Sequence, residues 1–320
     1  MSITRYVAGI VSAGVMVLGA GVVFGQSYPT KPIRIVTAAV GGSNDFTSRL
    51  IAPGMSASLG QPVIVDNRVG GVVAGDLVSK APPDGYTLLE QSNSVWIGPL
   101  LQKAPYDPVV NLAPIVAIAK APNILAVHPS VAATSVKELI ALAKAKPGEL
   151  NYASGGTGGG AHLSGELFKY LAGVNIVRIA YKGGAAALID LLAGRVQLLF
   201  EDFPTLMPNV KLGKLRALAV TSAEPSSLAP ALPTLASAGV PGYVFESTQA
   251  VWAPARTPQA VIRRVNQEIV RLVNQPDVKD KLLNNGLEPV GNSPEQLGAM
   301  IKSDMANMGK VIQAAGIRAD

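Results

Sequence analysis

The sequence predicts an α/β protein in two domains, each a mostly parallel sheet flanked by helices. Three observations carry that expectation. At 320 residues the chain exceeds what one hydrophobic core ordinarily serves. Short, continuous apolar runs alternate with amphipathic helical patterns, as strands buried on both faces do. One layout also occurs twice: an apolar strand runs through a glycine-rich turn into a helix, at Gly41-Gly42 and again at Gly155-Gly156.

In chain order, residues 1–25 carry one charge, Arg5, and are otherwise apolar or small. Val23 and Gly25 supply the small residues of a cleavage site, so 1–25 reads as a secretory signal peptide with the mature chain beginning near Gln26. An uncleaved anchor is the rival reading, because the stretch approaches spanning length. An extended lead-in, Tyr28-Pro29-Thr30-Lys31-Pro32, follows. Strands are expected at 33–36, 63–65, 87–89, 115–118, 125–127, 150–154, 177–180, 196–200 and 215–220. A helix follows the first glycine turn, and another runs over 161–171 after the second. Ser135-Val136-Lys137-Glu138 has capping-box spacing and opens a helix with Leu139, Ile140, Leu142 and Ala143 as its apolar stripe; Pro147-Gly148 ends it. Pro258 opens a helix bearing Val261, Ile262, Val265, Ile269 and Leu272, and Pro276 stops it. Pro294-Glu295 opens the last helix, reaching about Ala314. The chain is expected to cross between domains twice, with 26–121 and 246–320 forming one lobe and 122–245 the other.

Composition narrows the function. Apolar residues make up 48% and charged residues 15%, enough for a core and too little charge for disorder. The net charge of +6 comes from scattered lysines and arginines, with no basic stripe interleaved with aromatics; nucleic acid is excluded as a partner. With no cysteine there is neither a disulfide framework nor a lipidated thiol, and with only two histidines no metal-ligand cluster is legible. An exported, cysteine-free soluble chain fits the Gram-negative periplasm, and metal-free, cofactor-free binding is expected.

The two glycine turns carry the chemistry. Each presents backbone N–H groups at the positive end of a helix, a seat for an anion. One seat in each half of the chain suggests a clamp around a carboxylate. The run Gly156-Thr157-Gly158-Gly159-Gly160-Ala161 also matches the dinucleotide pattern G-x-G-x-x-A. The acid that should hold a ribose about 20 residues on is missing from 176–180, and no Walker lysine follows, so the anion seat remains and the nucleotide does not. Ser154 and His162 raise nucleophilic catalysis, but no G-x-S-x-G elbow surrounds Ser154.

Several stretches carry a family likeness: Asp84-Gly85-Tyr86-Thr87-Leu88-Leu89, Pro105-Tyr106-Asp107-Pro108, Lys144-Ala145-Lys146-Pro147-Gly148, Leu150-Asn151-Tyr152-Ala153-Ser154, Tyr181-Lys182-Gly183, 213–220 and Pro233-Thr234. Together they make the chain resemble the tripartite tricarboxylate transporter receptors, the Bug-type periplasmic solute-binding proteins, over essentially everything after the signal. The resemblance implies a two-lobed periplasmic-binding-protein (Venus-flytrap) fold that closes over a small carboxylated solute. The family's first turn usually reads Pro-Phe-Pro-Ala-Gly-Gly-x-x-Asp. Here 37–45 keeps Gly41, Gly42 and Asp45 but lacks both prolines and the Phe, so a wall of the site is missing.

The expected ligand-binding residues are Gly41, Gly42, Ser43, Asn44 and Asp45 in the first turn, Ser92 and Asn93 in a neighbouring loop, and Ser154, Gly155, Gly156, Thr157 and His162 in the second turn. Tyr181, Gly183, Glu201 and Asp202 complete the set. Trp96 is read as a neighbour of the solute or as packing. Asp45 reads equally as a ligand contact or as an acid at a helix start, and Asn44 as a cap. His162 lines the cleft or covers the lobe surface. The resemblance permits Glu201 and Asp202 to receive a ligand ammonium, as an acid near the hinge does in relatives that bind amino acids; otherwise they are solvated strand-end residues.

No catalytic residue is assigned. The favoured reading is a monomeric periplasmic receptor that captures a di- or tricarboxylate, an aromatic carboxylate or an amino acid and delivers it to a membrane permease. The alternatives are a ligand-presenting receptor for a two-component sensor kinase and, behind it, a hydrolase using Ser154 and His162.

Overall fold

The computed structural model describes residues 28–68 and 71–318. The expected signal peptide, 1–25, lies outside the described residues. In chain order the elements are β1 (Ile33–Thr37), α1 (Ser43–Leu59), β2 (Val63–Asn67), α2 (Gly71–Ser79), β3 (Thr87–Gln91), α3 (Ser94–Leu101) and β4 (Leu112–Val127). Then come α4 (Val136–Ala145), β5 (Asn151–Ser154), α5 (Gly160–Ala172), β6 (Val177–Ala180), α6 (Gly184–Leu192), β7 (Leu198–Asp202), α7 (Phe203–Lys211) and β8 (Arg216–Val220). The chain finishes with β9 (Glu246–Pro254), α8 (Gln259–Val273), α9 (Pro276–Asn284), β10 (Glu288–Pro289) and α10 (Pro294–Ala315). No helix among the described residues is long and apolar enough to cross a membrane.

Two sheet regions share β4. At one end β2, β1 and β3 form a parallel trio that continues through β9 to β4; at the other, β6, β5 and β7 form a second parallel trio that also ends on β4. The expectation of mostly parallel sheets holds within these trios. It gives way at the centre, where β3–β9, β9–β4, β4–β7, β4–β8 and β4–β10 are all antiparallel. The reason is β4 itself. Sixteen residues long, it pairs with β9 from Leu112 to Pro122 and with β7 from Asn123 to Val127, so one strand serves both regions. The sequence suggests two separate strands here, 115–118 and 125–127. The register against β9 shifts between Pro114 and Val116, so Pro114 sits at an irregularity where its missing N–H is tolerated.

Each region has its own core. Ile33, Ile35, Ile51 and Leu88 pack with the predicted face of α8, Ile262, Val265, Ile269 and Leu272. Ile124, Ala153, Leu191, Leu199 and Leu206 form the second. A third and larger core joins both sides: Val36, Leu89 and Trp96 belong to it, as do Leu163, Phe168 and Phe200, with Met308, Val311 and Ile312 of α10. Helix starts follow the sequence chemistry. Ser135 accepts from the Glu138 N–H, while the Glu138 carboxylate reaches back to the N–H and hydroxyl of Thr134. At α10, Ser293 and Gln296 form a complete capping box just before the expected Pro294.

A polar latch ties the two sides together. Glu288 of β10 accepts from the Ser226 hydroxyl at 2.7 Å, the Ser227 N–H at 2.8 Å and the Ser227 hydroxyl at 3.1 Å. The ammonium of Lys120 on β4 lies 2.9 Å from Glu246 and 3.8 Å from Glu288. Glu288 is buried, so its charge depends on these donors. Replacing Glu288 by Gln keeps the shape but weakens three charge-assisted bonds. The expected cost is about 1–3 kcal/mol of unfolding free energy, read by urea denaturation. A variant as stable as the parent would show the latch to be dispensable.

Candidate ligand-binding cleft

A cavity of about 260 Å³ opens between the two sides. Its floor is the antiparallel pair at the centre: Ala121 and Asn123 from β4, Ser247 and Gln249 from β9. Ser43, the first residue of α1, enters from one side. Gly155, Gly159, Gly160 and Ala161, leading into α5, enter from the other, with Glu201 and Asp202 at the end of β7. A larger groove of about 520 Å³ between α7 and α9 is lined by Phe203, Pro204, Met207 and Leu228 among others.

The helix starts facing the small cavity share a glycine cap. Gly42 caps α1 and Gly159 caps α5, both with extended backbone and neither with a side chain accepting from the first-turn N–H groups. Gly183, beside Gly155, caps α6 in the same bare fashion. A helix start leaves up to four N–H groups without an intrahelical partner, and Ser, Thr, Asp or Asn usually covers one. Bare glycine caps leave those donors to whatever enters the cavity.

Around these caps the expected residues divide. Asp45 is buried and turned inward. Its carboxylate accepts from the Gly41 N–H at 3.0 Å, from Arg49 at 2.8 Å and from Asn67 at 2.8 Å. Burial works against its charge, yet these three donors hold its pKa below the usual carboxylate value. Asp45 therefore braces the turn, and it takes up the N–H of Gly41, which has a positive φ of 88°. Asn44 lies inside α1 rather than capping it, and its amide nitrogen donates to Gln91. Beneath them Glu90, fully buried, accepts from Thr37, Thr47 and Ser48, and burial raises its pKa to about 8. Ser92 sits near Ser94, its hydroxyl 3.3 Å from the other's, and Asn93 donates to the Glu246 carbonyl, away from the cavity lining. Trp96 is packing: buried against Trp252, it donates to Asp304 of α10 at 2.5 Å.

In the second turn a residue the sequence reading passed over organises the loop. Arg178 of β6 donates to the Ser154 hydroxyl at 2.7 Å, the Gly155 carbonyl at 3.1 Å and the Thr157 hydroxyl at 3.4 Å. An isolated cation in the short apolar strand 177–180 was the available signal. His162 is buried, and its Nδ1 accepts from the Gly158 N–H at 3.0 Å. Burial and the nearby Arg178 push its pKa down to about 4, so the ring is neutral at pH 7. Ser154 thus meets Arg178, not His162, and the pair has none of the geometry of a nucleophile and its base. Gly156 and Thr157 are exposed on the same loop. The Tyr181 hydroxyl donates to Asp190, clear of the cleft lining.

The two acids behave differently. Asp202 caps α7, accepting from the Thr205 N–H at 2.9 Å, so that helix start is closed to a ligand. Glu201 has no cationic partner among the described residues. Burial, helped by the neighbouring Asp202, raises its pKa to about 7.

Comparison with known proteins decides what this arrangement belongs to. The sequence matches the family model of the tripartite tricarboxylate transporter family receptor, TctC, over residues 47–317. The chain belongs to this family. TctC relatives include the protein BugT of Bordetella pertussis, 35% identical over 327 residues and spanning 99% of each chain. Among solved structures, Rpa4515 of R. palustris with adipate is 37% identical and superposes with a TM-score of 0.72, covering 92% of this chain and 100% of that one. MatC from Rhodopseudomonas palustris with bound malate is 26% identical with a TM-score of 0.70, covering 89% and 100%. A TctC solute-binding protein from Polaromonas, at 23% identity and a TM-score of 0.82 over 90% and 99%, shows the shared α/β periplasmic-binding-protein fold. As a TctC receptor the chain is a solute-binding protein, in a family that binds rather than transforms its ligands.

Glu201 gives the cleft a testable proton. Its carboxyl titrates at about 7 in the folded chain against an ordinary value of 4.5. Between those pH values the folded state holds the extra proton, so this residue's share of stability falls as pH rises through the window. Glu201→Gln abolishes that share. Relative to the parent, the variant's melting temperature should rise between pH 5 and pH 8; a constant difference would mean Glu201 titrates normally.

Proposed function

We propose that this chain is a periplasmic receptor that captures one small carboxylate between two lobes and presents the closed complex to a permease of the tripartite tricarboxylate transporter type. In this reading the lobes are 26–121 with 246–320, and 122–245. The single observation that carries it is the convergence of two uncapped helix N-termini, α1 at Gly42 and α5 at Gly159, on one cavity from opposite sides. A carboxylate seated there collects N–H donors and the positive ends of both helix dipoles. Charge-assisted hydrogen bonds of this kind are roughly twice as strong as neutral ones. Because the donors belong to both lobes, a ligand that touches all of them favours the form in which the lobes approach.

The cavity, about 260 Å³, lies below the roughly 300–1,000 Å³ of sites for drug-sized ligands, which suits a small acid. The bound adipate and malate of two relatives support the same class. The periplasmic location rests on the apolar 1–25 with its small-residue cleavage site, the absence of cysteine and two similar solved structures, one described as a periplasmic transporter and one as the periplasmic binding protein BugD.

A thermal-shift screen against small carboxylates and amino acids tests the reading. An acid at about 100 times its Kd adds about 2.7 kcal/mol of stability, and sugars or nucleotides add none. The sharper control is Gly42→Asp. The backbone there is extended, and a Cβ would meet only the Ala39 carbonyl oxygen at 3.7 Å, so aspartate fits and caps α1 with its own carboxylate. This variant should melt at or slightly above the parent temperature while losing carboxylate affinity by about 100-fold, about two factors of ten in the binding constant. Undiminished affinity would remove the α1 N-terminus from the site.

A further inference from the structure

The lining of the cleft holds a group that neither the clamp nor the packing uses. Gln249 of β9 is 1% exposed, and its Oε1 is fully enclosed with no hydrogen-bond partner among the described residues. Buried side-chain carbonyls are nearly always paired, because leaving one bare forfeits the bond it made with water. Other buried atoms in the same condition, such as the Trp252 indole nitrogen and the Ser222 and Thr257 hydroxyls, belong to residues outside the cavity lining; Gln249 lines it.

The charge of that lining points the same way. Glu201 and Asp202 face the cavity, and no lysine or arginine does among the described residues. Arg178, which reaches the second turn from β6, is engaged by Ser154, Gly155 and Thr157. One carboxylate can be met by the helix N-termini. A second would find no cation and two carboxyl groups in the same small space. The Gln249 Oε1 is an acceptor without a partner, and the Glu201 carboxyl holds only the Asp202 N–H, which donates to it at 3.3 Å; both call for a donor on the ligand.

We propose that Gln249 is a specificity-determining residue: with Glu201 it selects a carboxylate that carries a hydroxyl or ammonium over the plain acid of the same skeleton. This rests on the carboxylate-binding reading above and names the substrate class within it. The amide oxygen receives the donor hydrogen, and Glu201 supplies a second acceptor that favours ammonium once ionised. A site built to bond a donor discriminates against the analogue lacking it, because the buried acceptor is then left bare.

Isothermal titration with matched acids tests this: butyrate against 3-hydroxybutyrate, and succinate against malate and aspartate. In the parent chain the donor-bearing member should bind at least about tenfold tighter, the scale of one satisfied buried hydrogen bond. Gln249→Met keeps the volume and removes the amide acceptor; it should cut the preference for the hydroxyl-bearing member of each pair, read as the ratio of the two affinities within the same variant. Melting curves confirm that the variant is folded, and the parent-chain pairs stand as a test independent of any variant. Equal affinity within every pair overturns the proposal. So does an unchanged preference in Gln249→Met, which would mean that a trapped water satisfies the amide. If plain acids bind and donors bring nothing, only the Gln249 assignment falls; if no acid binds at all, the carboxylate reading falls with it.

Discussion

Everything in this molecule hangs on one strand. β4 gives its first eleven residues, Leu112–Pro122, to the β9 ladder and its last five, Asn123–Val127, to β7. Two parallel trios that would otherwise be separate layers are thereby held edge to edge, and the C-terminal ends of their strands face a common gap. A glycine turn follows β1 on one side and β5 on the other, so the helix starts at Ser43 and Gly160 meet across it. Because the floor of the gap is an antiparallel pair with its backbone already hydrogen-bonded, binding there falls to side chains and helix ends. This is the familiar logic of open α/β sheets, where ligands gather outside the carboxyl ends of the strands.

In the proposed reading the cleft seats an anion with no cationic side chain among the described residues of its lining. Asp45 is held away from the cavity by Arg49, Asn67 and the Gly41 N–H, so its negative charge is compensated where it stands. His162 is kept neutral and serves the loop as an acceptor. Arg178 fixes the loop geometry from behind, through two hydroxyls and a carbonyl. Glu90 is hydrogen-bonded by three hydroxyls under α1, and a neutral carboxyl there places no negative charge beneath the positive end of the helix. Beside the α1 start, then, Asp45 is compensated and Glu90 is neutral, and the positive charge offered to a ligand is that of the helix ends alone.

Much of this was legible in the sequence, and the failures have physical causes. The two strand–turn–helix units, the Pro258 helix with its apolar stripe and the strand at 177–180 could be read because local chemistry and tertiary role agree there. β9 could not: Glu246-Ser247-Thr248-Gln249 opens polar, and only its burial between β3 and β4 makes it a strand. β4 reads as two strands, 115–118 and 125–127, since a sequence gives no sign that one strand will run on from the β9 ladder into the β7 ladder. The site divided the same way. Ser43, Gly155, Glu201 and Asp202 are in the cavity lining, and each lies in or beside a local motif. Asn123, Ser247 and Gln249 come from long-range pairing and carry no motif. Tyr181, Ser92 and Trp96 sit near the glycine turns in sequence or in expectation, but each is engaged elsewhere.

The remaining question is what limits lobe movement in the proposed capture cycle. A hinge of two crossing strands alone would allow wide excursions, and each opening would erode the apparent affinity by the fraction of time spent open. Here the strands are not alone. α10 packs in one continuous core with Leu163 and Phe168 of α5 and with Trp96 of α3, and Trp96 is further tied to α10 by the Asp304 bond. Gly158 brings the α5 loop so close to Leu101 of α3 that a Cβ there would lie 2.6 Å from the leucine side chain. Glu288 adds its bonds to the loop at Ser226 and Ser227. Closely packed cores resist continuous deformation. In the proposed cycle closure is therefore limited to movements that keep these contacts packed, and the backbone N–H groups at the two helix starts would have only such a movement to bias.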